Sequence, residues 1–79
     1  IQLLYRMLDK LPTKQRDAVI LFEISGFSMR EIAAIQDSTE GAVKTKISRG
    51  RNKLRQLMAE RPLHNSLSQI LAIAKTIAL

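Results

Sequence analysis

Six basic residues fall between Lys44 and Arg55 with no acid among them: Lys44, Lys46, Arg49, Arg51, Lys53 and Arg55. They lie in a longer run, Thr39 to about Glu60, whose apolar residues recur at helical spacing. At about 100° per residue, Val43, Ile47, Gly50, Leu54, Leu57 and Met58 fall on one side. A helix built this way must bury that side and turn its bases outward. Gly50 costs a helix interior roughly 1 kcal/mol against Ala, and its place on the packed side predicts a close backbone approach. The rest of the chain is electrically neutral, its seven other bases matched by seven acids, so the net charge of +6 belongs to this one stretch. A local basic stripe suits a phosphate backbone, although a solvated helix face has the same look.

The chain has 79 residues, enough for one domain of three or four short helices around one core, with 46% apolar residues. Three glycines, two prolines and the lack of alternation argue against sheet. Without cysteine there is no disulfide framework or Cys-based zinc site. His64 alone cannot make a His-rich metal site, and no cofactor is expected. No run reaches the roughly 18 apolar residues of a membrane span, and no signal peptide is visible. A reducing cytoplasm, on the nucleoid, is the expected location. The chain starts at Ile1 rather than Met and is expected to be a piece of something longer.

Five helical segments are predicted. Ile1 to Lys10 carries apolar residues at one helical stripe, and Pro12 breaks it after Leu11. Thr13 is the expected cap of a second helix, Lys14 to Ser25, whose run from Ala18 to Ile24 marks it as the central, most buried one. Gly26 fits the left-handed position past its end, with Phe27 packing back. Ser28 and Glu31 make an S-x-x-E capping box for a third helix that buries Ile32, Ala33 and Ile35. It ends near Gln36-Asp37, and Asp37 tolerates a left-handed turn. Ser38 or Thr39 caps the fourth helix, which Arg61-Pro62 stops. Asn65 to Leu79 reads as a separate apolar helix. The expected division is therefore a DNA-binding unit over 1–62 and an extra C-terminal helix over 63–79.

The third and fourth helices, joined by about three residues, have helix-turn-helix grammar, which a structural helical hairpin shares. The outward side of the fourth helix shifts the balance. Thr45, Ser48, Arg49 and Asn52 are opposite the core side, and stretch 41–59 holds no acid where a solvated helix would mix both signs. Base contacts are expected from Lys44, Thr45, Ser48 and Arg49, since the N-terminal half of such a helix reaches deepest. Lys46, Arg51, Asn52, Lys53 and Arg30 are expected on phosphate, and the amides around Thr39 could hold another phosphate.

Leu11-Pro12 with Arg16, Gly26-Phe27-Ser28, Glu31-Ile32-Ala33, the run Gly41 to Ile47, Arg49-Gly50-Arg51 and Leu54 form an ordered set. It resembles the C-terminal DNA-binding domain of bacterial sigma factors of the extracytoplasmic-function group, over about residues 1 to 60. The resemblance implies an all-helical domain that binds the promoter −35 element as part of transcription initiation. It also implies contact with the β-flap of RNA polymerase and masking by an anti-sigma factor. The family's DNA-contacting helix falls on Thr39 to Lys53. Gln36 and Asp37 replace a more usual Leu and Gly, Gly50 replaces a common Ala, and the tail after Pro62 has no counterpart. The partner domain that melts the −10 element is absent, so this chain alone is not expected to start transcription.

Two other readings stay open at this point. One is the effector domain of a response regulator or quorum-type activator. The other is a protein-interaction module, supported by the tail, which is too apolar to be left in water and would pack on its own domain, on a second copy or partner, or on membrane. An enzyme is disfavoured, because no paired carboxylates, phosphate loop or nucleophile–base pair is present.

Overall fold

A computed structural model describes residues 2–60 and 66–78. The expected start at Ile1, the Arg61-Pro62 stop, the boundary at 62/63 and the helix ends at Asn65 and Leu79 lie outside those residues. The described elements are all helical: α1 (Gln2–Leu8), α2 (Thr13–Val19) running on as a π-helical segment (Ile20–Ile24), α3 (Met29–Ile35), α4 (Glu40–Ala59) and α5 (Leu67–Ala78).

Most local signals act as read. Ser28 and Glu31 form the capping box: the Glu31 amide donates to Ser28 Oγ at 3.1 Å and the Ser28 amide to Glu31 Oε1 at 3.0 Å. Gly26 (φ 79°) and Asp37 (φ 51°) take the two left-handed positions. Of the two candidate caps for α4, Thr39 is the one used; its Oγ1 accepts from the Ala42 amide at 3.1 Å.

Three expectations are corrected. Pro12, not Thr13, precedes α2, and Thr13 is already helical, because proline's fixed φ suits the position before the first turn. The expected α-helix to Ser25 widens into a π segment at Ile20, where the Ser25 amide donates to the Ile20 carbonyl five residues back. Ile35 is 57% exposed rather than buried, so α3 contributes only Ile32 and Ala33 to the core.

Two apolar clusters hold the helices. The smaller joins Ala18, Ile32, Ala33, Val43 and Ile47 and fixes α3 and the start of α4 on α2. The larger joins Leu4, Met7, Leu8, Leu11, Val19, Ile24, Leu54 and Leu57 with Leu67, Leu71 and Ala74 of α5. Helix α4 runs through both, and its largest interface is with α2. Gly50 is the crossing point. A Cβ there would lie 2.6 Å from Val19 Cγ2 and 3.1 Å from Leu11 Cδ2, so the close approach read from the sequence is present.

The apolar tail packs on its own domain. A second capping box starts α5: the Gln69 amide donates to Ser66 Oγ at 3.2 Å and the Ser66 amide to Gln69 Oε1 at 2.9 Å. Its far side leaves Ile73 and Ile77 exposed.

Two variants test this packing. Leu71→Ala, at a site 2% exposed, should cost about 2–4 kcal/mol in urea unfolding. Ile77→Ala, at a site 66% exposed, should cost under about 0.5 kcal/mol. Equal costs would mean that α5 does not dock as described. Gly50→Ala should lower the melting temperature by several degrees, because an overpacking strain of about 1–3 kcal/mol against branched Val19 outweighs the propensity gained. A higher melting temperature would show that α4 shifts freely on α2.

Candidate nucleic-acid interface

Which side of α4 faces outward follows from what its other side buries. Val43, Ile47, Gly50, Leu54 and Leu57 are buried, and Met58 is half-buried. Lys44, Thr45, Ser48, Arg49, Asn52, Lys53 and Arg55 are exposed, as are Thr39 at the cap and Arg30 on α3. The structure thus places Lys44, Thr45, Ser48 and Arg49 on the outward side of the N-terminal half of α4.

Several of these side chains have local partners that set their direction. Thr45 Oγ1 donates to the Gly41 carbonyl at 3.1 Å. Arg55 Nη1 donates to Asn52 Oδ1 at 3.2 Å. Thr39 spends its hydroxyl on the cap, and the cap's bond leaves the amides of Glu40 and Gly41 for another acceptor.

Two of the expected phosphate contacts are less free than the sequence suggests. Lys46 is half-buried, and its Nζ donates to Gln36 Oε1 at 3.2 Å. The amide end of Gln36 reaches the other way, donating to the Lys14 carbonyl at 3.1 Å. The residue that departs from the family pattern therefore bridges the turn, α2 and α4. Arg51 is also half-buried, with its Nη1 donating to Glu23 Oε1.

Sequence reasoning missed Glu23 and Gln36. A faint signal existed for Glu23, the sole acid in the apolar run Ala18 to Ile24. Gln36 stood out only as a replacement for a more usual Leu, and its partners, ten and 22 residues away, left no local mark.

The Leu-Pro-x-x-x-Arg segment has a physical role as well. Leu11 packs beside Gly50, and Arg16 pairs with Asp9 at 3.7 Å and with Asp17 at 3.5 Å. These partly exposed pairs add little stability, but the one with Asp9 ties α2 back to the turn after α1.

The described residues hold no group of acids, histidines or cysteines that would bind a metal. No helix among them is long and apolar enough to cross a membrane.

A short capped helix, a turn closed by a positive-φ residue, and a long helix whose outer side is basic and free of acids beyond its first turn define a helix-turn-helix domain of the DNA-binding kind. Comparison with known proteins then fixes the lineage: the description "Sigma-70, region 4" matches residues 1–54, and the chain belongs to that family. It is 47% identical over 51 residues to the ECF RNA polymerase sigma factor EcfG of Rhodopseudomonas palustris, covering 65% of this chain and 28% of that protein. It is 43% identical over 53 residues to the ECF RNA polymerase sigma factor SigE of Mycolicibacterium smegmatis, covering 67% and 21%. Against the ECF RNA polymerase sigma-E factor of Escherichia coli K12 the identity is 40% over 53 residues, covering 67% and 28%. The chain thus corresponds to between 21% and 28% of the length of these relatives. No solved structure matches the chain. The resemblance to the extracytoplasmic-function group is borne out, and the response-regulator alternative is not favoured.

One pH effect belongs to this site, because the capping box sets the start of α3. The Ser28 amide, and next the Ser28 hydroxyl, hold the Glu31 carboxyl below its ordinary value. A depressed carboxyl contributes stability above its unfolded value, and that contribution is lost as pH falls through its folded one. Acidification from pH 7 to about pH 3 should therefore lower the urea midpoint less in Glu31→Gln, whose amide can keep the box, than in the parent. Equal losses would remove Glu31 from the acid response.

Proposed function

We propose that α4 docks in the major groove of the promoter −35 element and that the chain serves as the −35 reader of a sigma factor in transcription initiation. The observation that carries this reading is the basic outer side of α4, free of acids after Glu40 in the first turn, in a region 4 domain. Lys44, Thr45, Ser48 and Arg49 are assigned to base edges. Arg49 has the fork that pairs bidentately with guanine, and Thr45 presents a methyl suited to thymine. Lys46, Asn52, Lys53 and Arg30 are assigned to phosphate, with the amides of Glu40 and Gly41, next to the Thr39 cap, holding one more. Arg51 is set apart, because Glu23 holds it.

The wider role follows from the family. The full factor brings RNA polymerase to promoters, touches the β-flap through this domain and is masked by an anti-sigma factor. It works in the cytoplasm, at the nucleoid, without catalytic chemistry or a cofactor of its own. Docking of α5 on its own core supports a tail that completes the domain, over one that serves self-association.

Selection from a randomised −35 library would supply the cognate duplex. Its affinity should fall with salt at a log–log slope of about −3, for the three cations assigned to phosphate, Arg30, Lys46 and Lys53. Arg49→Ala should cost about 1–3 kcal/mol on the selected duplex and relax sequence preference, whereas Lys53→Ala should weaken selected and random duplexes alike. The same response from both variants would overturn the division into reading and phosphate residues.

A further inference from the structure

Arg51 differs from the other bases of its stretch. Its Nη1 donates to Glu23 Oε1, on the π segment 28 residues earlier in the chain. The two side chains are 26% and 17% exposed, and Arg51 Nε is buried without a partner. Among the described ion pairs this is the one that reaches the basic stretch; the others join Arg16 to Asp9 and Asp17. Yet Arg51 is not on the far side of the domain. It lines a groove together with Lys44, Ser48, Asn52 and Arg55, all on the outer face of α4.

We propose that Glu23 is a positioning residue that keeps the Arg51 guanidinium off the phosphate backbone and so limits the affinity of the domain for DNA of any sequence. The inference rests on the reading of α4 as the DNA-binding helix. A phosphate contact carries no sequence information, so one more cation on this face strengthens right and wrong sites by the same factor. A guanidinium is always charged and matches a carboxylate or a phosphate equally well. Which of the two it binds depends on what is within reach. The π segment puts a carboxylate there first, in a half-buried place where water screens the pair less than on the open surface. Arg51 then adds no net charge to the DNA face, and the groove stays one contact short of its full complement.

The test is a salt series on the intact chain with selected and random duplexes. Glu23→Gln keeps the size of the side chain and removes its charge. It should steepen the log–log slope by about one and raise affinity for both duplexes about five-fold at 0.15 M salt, with their ratio unchanged. Glu23→Gln with Arg51→Gln should return the slope to that of the parent. An unchanged slope in the single variant, or a gain that survives in the double one, would overturn the proposal, since a purely structural clamp moves melting temperature and not slope. If the Gln variant melts below the assay temperature, Glu23→Met, apolar and of similar volume, carries the same expectation. A parent chain that binds neither duplex would instead refute the DNA-binding reading itself.

Discussion

The architecture depends on how near α4 comes to α2. Gly50 has no side chain at the crossing, so the Val19 and Leu11 side chains fill the space a Cβ would take. That contact lets one helix of 20 residues, about 30 Å long, serve two apolar clusters at once. Val43 and Ile47 go to the cluster shared with α3, and Leu54 and Leu57 go to the one shared with α1 and α5. Were α2 and α4 held further apart, the two clusters could not both close on the same rod. The helical penalty at glycine is thus offset by packing on both sides of it.

This arrangement separates tasks along α4. Its N-terminal half packs on the smaller cluster and carries the residues assigned to base edges. Its C-terminal half packs on the larger one, with α5 closing the side that α1 leaves open. Both halves anchor the helix through buried residues, and the base-reading assignments fall in the first. Cations follow the same logic. Those on the outward side need no partner in the free protein, because water solvates them, whereas the half-buried ones, Lys46 and Arg51, each acquire one.

Features governed by neighbours within about four residues were legible in the sequence. The core side of α4, the Ser28–Glu31 box, the Thr39 cap and the left-handed Gly26 and Asp37 each follow from local spacing or backbone preference. The Ser66–Gln69 box was equally local and was overlooked. Features decided by distant parts of the chain were not legible. The π segment leaves no mark in an apolar run that an α-helix would accept just as well. Ile35 has the spacing of a core residue, but it lies at the open edge of a surface groove with Ile20 and Leu21 rather than in the core. The side of α4 that carries the site was readable for the same reason the core was, since one determines the other. The partners that direct Lys46 and Arg51 were not, because they depend on how α2 and the turn lie against α4.

Gln36 gives the turn a further significance. Its side-chain amide holds the Lys14 carbonyl with one end and Lys46 with the other. A residue outside the reading helix therefore sets where one of that helix's own cations rests. Replacing Gln36 would release Lys46 from its partner without changing any residue of α4.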